Sequence, residues 1–213
     1  MNNIEDFFQQ LTNPERAVIE RFAAPIDIQR FLDTLPYSTD SFYRCPLRVL
    51  RDRTAHCFDG ALFAAAMLRR LGFPPLILDL LPNERDDDHL LALFKFDGYW
   101  GAVAKSNFVG LRFREPVYRS IRELVMSYFE HYFNVAAEKT LRAYAGPLNL
   151  IGFDRLHWMT EDYGLEQIAQ RLDQLRRISI ISERSVGILS PVDDRSYQAG
   201  LLGANQAGLF KIN

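Results

Sequence analysis

Cys57 and His89 are the side chains of this chain best suited to do chemistry together. Cys57 begins an apolar, helix-forming stretch, and a thiol at a helix N-terminus feels the positive end of the helix dipole, which favours the thiolate. His89 begins a strand-forming stretch, from which an imidazole can act as a base and then as an acid. The pair predicts a nucleophilic cysteine site. Taken singly, Cys57 could be a small buried hydrophobe and His89 a solvent-facing strand residue.

The helix that must carry Cys57 is predicted over residues 54–71. Thr54 is expected to be its N-cap, and Gly72 is a suitable stop after two arginines. An apolar run of strand length follows at 76–81. Together these segments predict a buried helix and a neighbouring strand.

The strand that must carry His89 is predicted as the first arm of a hairpin, 89–96 with 99–104, around Asp97-Gly98. A two-residue turn at this position sets the register of the two arms, which places His89 opposite Ser106. Side chains near 104–107 are therefore expected beside the imidazole, where a third group could orient it.

The rest of the chain is predicted to be helical before the cysteine and mixed after it. Helices are expected at 13–22, 26–35, 120–131 and 166–177, with a short strand at 178–181; the glycine-rich tail from residue 187 stays unassigned. We predict a single domain, 1–213, composed of a helical N-terminal segment 1–49, a core 50–135 and a mixed C-terminal portion 136–213.

Composition restricts the class of protein. The 213 residues are 48% hydrophobic, which is enough for a sizeable core, and the net charge of −2 indicates neither nucleic acid nor a membrane surface as partner. Two cysteines make no disulfide framework and suit a reducing compartment. With no signal-peptide pattern and no apolar run of membrane length, we expect a cytoplasmic protein of unassigned oligomeric state.

The stretch from Cys57 to the hairpin resembles the transglutaminase-like superfamily, which is related to the papain-like cysteine proteases. The residues that carry this resemblance are Cys57-Phe58-Asp59, Arg70-Leu71-Gly72-Phe73-Pro74, His89, Asp97-Gly98 and Trp100. The resemblance implies an α+β fold in which the cysteine helix packs on an antiparallel sheet. It also implies a Cys-His-Asp triad for acyl transfer or amide hydrolysis, with no metal or organic cofactor.

An uncharacterised bacterial branch of that superfamily is similar over residues 57–133. The shared phrases are Trp100-Gly101-Ala102, Lys105-Ser106-Asn107 and Arg114-Glu115-Pro116-Val117-Tyr118.

The expected third member of the triad is absent, because Ala104 occupies the position of the aspartate. Asn107 is the best substitute, since an asparagine carbonyl can orient an imidazole, and Ser106 is the second choice. We therefore predict that Asn107 hydrogen-bonds His89, directly or through one water. A descendant that keeps the cleft but has lost the chemistry remains an alternative.

Other chemistry-bearing residues have more than one interpretation. Trp100 and His56 are the candidate substrate-binding residues, although Trp100 could equally be a core residue. His56 could instead join Cys57, His89 and Asp88 in a zinc site, but the spacing matches no standard pattern. The carboxylates at 86–88 are expected to form a solvated turn, with a hard cation as the alternative. Asp59 is expected to cap the cysteine helix through its charge.

These observations predict a cysteine-dependent hydrolase or acyltransferase that acts on an amide, peptide-like bond. In this prediction Cys57 attacks the carbonyl, His89 moves the proton and Asn107 or Ser106 orients His89. The alternative is a catalytically inactive transglutaminase-like domain that binds or interacts.

Overall fold

The computed structural model of this protein describes residues 3–212. Residues 1, 2 and 213, which fall within the predicted segments 1–49 and 136–213, lie outside the described residues. Four helices come first along the chain: α1 (Asn3–Gln9), α2 (Asn13–Glu20), α3 (Pro25–Asp33) and α4 (Pro46–Asp52). Helix α2 begins with a capping box in which the Thr12 hydroxyl accepts the Glu15 N–H and the Glu15 carboxylate accepts the Thr12 N–H.

Helix α5 (Cys57–Arg70) is the central helix, and every residue from Cys57 to Leu68 is buried. The prediction that it begins at Thr54 is wrong, because the cap is His56. The Nδ1 atom of His56 accepts the Asp59 N–H at 3.5 Å, and the Asp59 carboxylate accepts the His56 N–H at 3.3 Å. Ala55 instead forms an isolated bridge with Tyr37. Cys57 is thus the first residue of the helix.

A six-stranded antiparallel sheet packs on α5, so the fold is α+β. Its strands are β1 (Leu76–Pro82), β2 (His89–Phe96), β3 (Tyr99–Val103), β4 (Arg114–Tyr118), β5 (Leu141–Asn149) and β6 (Arg177–Ser179), in the order β4-β3-β2-β1-β5-β6. Asp97 and Gly98 both have positive φ, 48° and 83°, as a two-residue hairpin turn requires. The predicted pairing of Phe96 with Tyr99 is confirmed.

The two faces of β2 belong to two different hydrophobic clusters. Leu90, Ala92 and Phe94 pack with α5 and the N-terminal helices. Leu91 and Leu93 pack on the opposite face, with Tyr128, Tyr132 and helix α6 (Ile121–Met126). Because strand residues alternate between faces, His89 belongs to the face that looks away from α5.

The C-terminal portion adds strands β5 and β6 to the sheet and three helices: α7 (Leu165–Asp173), α8 (Glu183–Val186) and α9 (Asp194–Gly200). The 3-10 turn Gln206–Gly208 follows α9. Helix α6 ends at Met126, so the helix predicted to reach residue 131 is shorter than expected, and Phe129–His131 forms a separate 3-10 turn. No helix among residues 3–212 combines the length and apolar character that crossing a membrane requires.

Candidate functional site

Cys57 lies in the wall of a cleft at the N-terminal end of α5. Its thiol donates to the Asp88 carbonyl oxygen, with Sγ and O 3.9 Å apart, and the Tyr37 side chain lies beside it in the same wall. The cleft has a volume of about 380 Å³. The helix N-terminus and the loop before β2 therefore bring the cysteine to a cavity.

The environment of Cys57 disfavours a thiolate. Burial raises the pKa of the Cys57 thiol far above its usual range, and the negative charges of Asp88 and Asp87 raise it further. The nearby Tyr37 side chain lowers the pKa of the thiol, but neither it nor the helix dipole offsets these effects. The expectation of a lowered pKa is therefore wrong in direction, because it considered the helix dipole and not the carboxylates that the fold places nearby.

His89 is buried on the other face of the sheet. Its Nε2 lies 2.7 Å from the Leu111 carbonyl oxygen, to which a neutral imidazole donates, and its ring centroid is 6.5 Å from that of Tyr132. Burial lowers the pKa of His89 to about 4, so the ring is neutral at physiological pH. Cys57, by contrast, contacts the backbone beside His89, so the structure does not join thiol and imidazole in a hydrogen bond.

Asn107 and Ser106 line a second cavity of about 50 Å³ together with His89, but both are engaged elsewhere. The Asn107 amide nitrogen donates to the Asn205 carbonyl at 2.8 Å, and its oxygen accepts the Asn205 N–H at 2.7 Å. Ser106 Oγ accepts the Phe108 N–H. The direct form of the predicted hydrogen bond from Asn107 to His89 is therefore wrong, because the C-terminal tail binds that amide. The form through one water stays a prediction.

Lys105, in the same sequence phrase, is a buried structural residue. Its ammonium group donates to the carbonyl oxygens of Leu32 and Leu35, at the end of α3, and its side chain packs on Gly60 of α5. Burial lowers the pKa of Lys105 to about 8.

The two candidate substrate-binding residues lie apart. His56 lines the cleft as the N-cap of α5, and burial lowers its pKa to about 4. Trp100 lies half-buried on β3, packs on the cluster beneath α6 and carries the Lys95 ammonium 5.1 Å above its ring. Trp100 is not among the residues that line the cleft. Of the two candidates, His56 is therefore the one that shares the cavity of Cys57.

The cleft is acidic, which the sequence reasoning missed. Five aspartates line it, from the loop after α3, from β1, from the turn before β2 and from the end of α7: Asp40, Asp79, Asp87, Asp88 and Asp173. Within residues 3–212, neither lysine nor arginine lines it, although Arg44 pairs with Asp40 from outside the lining. The sequence signals only the adjacent carboxylates at 86–88, because the others are separated along the chain.

Asp79 is the most unusual of these carboxylates. It is 2% exposed, and its Oδ1 has no hydrogen-bond partner among the described residues. Burial raises the pKa of Asp79 to about 8, and the charges of Asp88 and Asp173 contribute. The pKa of Asp88 rises to about 6 for the same kind of reason. A lone aspartate inside the apolar run L-I-L-D-L-L was the sequence signal, since a buried polar group demands a partner.

Asp59 caps the start of α5 through hydrogen bonds. Its carboxylate accepts the N–H groups of His56 and, at 2.8 Å, of Arg44. Arg44 also pairs with Asp40 and Asp52, so this guanidinium is shared among acidic partners. Capping by hydrogen bonds is confirmed. Burial raises the pKa of Asp59 to about 7, so capping through its charge stays a prediction.

The alternative metal sites are not assembled. Within residues 3–212, no group of three or more histidine, cysteine or acidic side chains has the geometry to hold a metal ion. The zinc set fails because His89 points away from Cys57 and His56.

Comparison with known proteins gives only a distant likeness. No family model and no curated protein matches the chain. Among solved structures, it is similar to LapG of Legionella pneumophila, with 14% identity and a TM-score of 0.36, and to the EGTA-treated form of LapG, with 14% identity and a TM-score of 0.35. Each match covers 48% of this chain and 68% of LapG. No residue role is transferred from so distant a likeness.

Proposed function

We propose that this protein is a transglutaminase-like binding domain whose acidic cleft takes a cationic organic group, such as the ammonium or guanidinium of a peptide-like ligand. The observation that carries the proposal is the unpartnered Oδ1 of Asp79, which is buried in the wall of the cleft. A buried carboxylate without a partner is costly, and a ligand that donates to it removes that cost.

The charge of the cleft supports a cation as ligand. Aspartates approach the cavity from four parts of the chain. Arg44 pairs with Asp40, but within residues 3–212 the other four form no ion pair: Asp79, Asp87, Asp88 and Asp173. An incoming ammonium group lowers their mutual repulsion and restores the charged form of Asp79. Tyr37 and Tyr43 also line the cleft, and aromatic rings at a binding site favour cations.

Calorimetric titration of the full chain with agmatine, which carries both cationic groups, tests the proposal. We expect saturable binding that Asp79→Asn weakens about tenfold or more, because a hydrogen bond to a charged group is worth about 1.5–3 kcal/mol. Glu84→Gln is the matched control, since Glu84 is exposed and outside the lining of the cleft. Equal affinity for wild type and Asp79→Asn would refute the proposed site.

The cysteine-dependent hydrolase or acyltransferase predicted from the sequence is the second candidate. In it Cys57 attacks an amide carbonyl, His89 carries the proton and the Cys57 backbone N–H is one oxyanion donor. Its support is the position of Cys57, at the first residue of α5 and in the wall of the cleft. It requires His89 to leave the Leu111 carbonyl, and it requires the thiol to lose its proton.

The pH profile of Cys57 alkylation by iodoacetamide separates the two candidates. A catalytic pair gives an apparent pKa below the free-thiol value of about 8.5, and His89→Ala raises it. A binding domain gives slow alkylation at neutral pH and the same profile in His89→Ala. The raised pKa of the buried thiol favours the second outcome.

A further inference from the structure

The segment 204–210, here called the C-terminal strap, docks on Asn107 and Tyr37 through Asn205. The side-chain amide of Asn107 binds both the N–H and the C=O of Asn205, at 2.7 and 2.8 Å. The Asn205 side chain in turn donates to the Tyr37 carbonyl oxygen at 3.0 Å. An amide that pairs with both polar groups of one residue recognises peptide backbone, in the way that a neighbouring strand does.

Gly208 fixes the register of the strap. A Cβ atom at this position would lie 2.9 Å from Cδ1 of the Tyr37 ring and 3.4 Å from the Asn107 amide nitrogen. The Gly208 N–H closes the turn onto the Asn205 carbonyl at 3.0 Å. The subsite therefore fits a turn that starts at an asparagine and has glycine three positions later.

The strap is also a shared wall of the two cavities. Gly208 and Phe210 line both the cleft that holds Cys57 and the smaller cavity that holds His89 and Asn107. Ala207 and Leu209 line the cleft alone. Tyr37, on which Gly208 packs, lines the cleft together with Cys57 and influences the pKa of its thiol. Movement of the strap is thus coupled by direct contact to the access of Cys57.

The strap is held by solvent-exposed hydrogen bonds, whereas helix α9, which precedes it, is anchored to the rest of the protein. None of its residues is buried, and the hydrogen bonds of Asn205 are exposed to solvent, where each is worth about 0.5–1.5 kcal/mol. Segments of this kind open at low cost. Helix α9, just before the strap, is anchored by the Tyr197 hydroxyl, which donates to the Val135 carbonyl at 3.0 Å, and by Gly200 against the Phe133 ring. An opened strap therefore remains close to its subsite.

We propose that Asn107 and Tyr37 form a peptide-binding subsite for an Asn-x-x-Gly turn, and that the strap is its intramolecular occupant, which closes the cleft beside Cys57. The proposal extends the proposed function, because the strap controls entry to the cationic-ligand cleft. A partner peptide with the same turn chemistry takes the place of the strap in the subsite and shields Cys57 in the same way.

The test measures iodoacetamide alkylation of Cys57 in the full chain by mass spectrometry, at one pH. Gly208→Ala introduces the clash with Tyr37, and Asn205→Ala removes the side-chain bond to Tyr37. Each is expected to raise the Cys57 rate about tenfold, which corresponds to a shift of about 1.4 kcal/mol in strap opening. Leu202→Ala, in the same tail but 77% exposed, and Gly152→Ala, with open space around its Cα, are matched controls expected to stay at the wild-type rate.

A synthetic peptide with the sequence of 204–210 then tests the subsite in trans. Added to the Gly208→Ala chain, it is expected to return the Cys57 rate towards the wild-type value, whereas the same peptide with alanine in place of its glycine is not. Wild-type rates in both strap variants would overturn the closure. An equal rise in the alkylation rate of Cys45, which is buried in the core, would show that the variants lower global stability, and it would overturn the closure as well. Failure of the peptide to protect would overturn the subsite.

These outcomes are separate from the test of the proposed function. Agmatine binding reports on Asp79, and strap opening reports on Asn205 and Gly208, which lie on different parts of the chain. If agmatine does not bind but the strap variants raise the Cys57 rate, the proposed cationic-ligand site is refuted and the proposed closure by the strap stands.

Discussion

Asp79 stabilises the folded protein most when it is protonated. Its pKa is raised to about 8 by burial, well above the value of about 3.9 in an unfolded chain, so the folded state binds the proton more tightly. The free energy of unfolding should therefore fall as pH rises from about 4 to 8. Asp79→Asn, which cannot ionise, is expected to flatten this dependence and to stabilise the protein at pH 8 by roughly 1–3 kcal/mol. Urea unfolding of both chains across this range measures the effect, and parallel pH profiles would contradict it.

His89 has the opposite linkage. Burial depresses its pKa to about 4, below the value of about 6.5 in an unfolded chain, so the unfolded state takes up a proton first as pH falls. The stability that neutral His89 contributes is lost between about pH 6.5 and 4. His89→Gln keeps a donor for the Leu111 carbonyl and is expected to lose less stability on acidification. The pKa of His56 is also lowered to about 4, so the stability that neutral His56 contributes is lost over the same pH range. Comparison of His89→Gln with the double variant His89→Gln/His56→Asn separates the contributions of the two imidazoles.

The sequence predicts that His89 lies at the start of strand β2, but it does not predict on which face of the sheet the side chain lies. The hairpin register follows from Asp97-Gly98, and the pairing of Phe96 with Tyr99 confirmed it. The apolar run from Leu90 to Phe94 has no alternation, because both faces of β2 are buried. A strand buried on both sides gives no pattern that says which side chains meet the cysteine helix. The predicted pairing of Cys57 with His89 rests on the order of helix, strand and hairpin along the chain. That order does not determine which face of β2 carries His89.

At the scale of elements, α5 begins with an N-cap of an unusual residue type, the histidine His56. Thr54 is of the residue type that normally caps, whereas histidine is not, so the sequence favoured the wrong start. His56→Ala is expected to destabilise the protein by about 1 kcal/mol, the usual worth of an N-cap, and His56→Asn is expected to retain most of it. Urea unfolding at pH 7 measures both. Equal loss in the two variants would show that the imidazole stabilises by packing on Tyr43, 5.7 Å away between ring centroids, and not by capping.

At the scale of the whole molecule, local signals predicted local structure and missed what distant segments build together. The α5 helix, the hairpin and β1 could be found from apolar runs and one turn. The acidic cleft could not, because Asp40, Asp79 and Asp173 meet only after β1 and α7 pack near the N-terminus of α5. The docking of the strap on Asn107 joins positions 107 and 205, for which the sequence carries no periodic signal. Non-local contacts of this kind are set by the packed core and not by propensity.

The convergence of these carboxylates has a consequence that no single residue would produce, namely that binding of a cation should release a proton. At pH 7 Asp79 is protonated in the free protein, because burial and the neighbouring charges of Asp88 and Asp173 raise its pKa to about 8. An ammonium group in the cleft favours the carboxylate and lowers that pKa, so binding and deprotonation are linked. The affinity for agmatine should therefore increase as pH rises from about 6 to 8. Calorimetry at pH 7 in two buffers of different ionisation enthalpy should show proton release on binding, which Asp79→Asn should abolish. Identical binding heats in the two buffers for the wild-type chain would mean that the ligand does not reach Asp79.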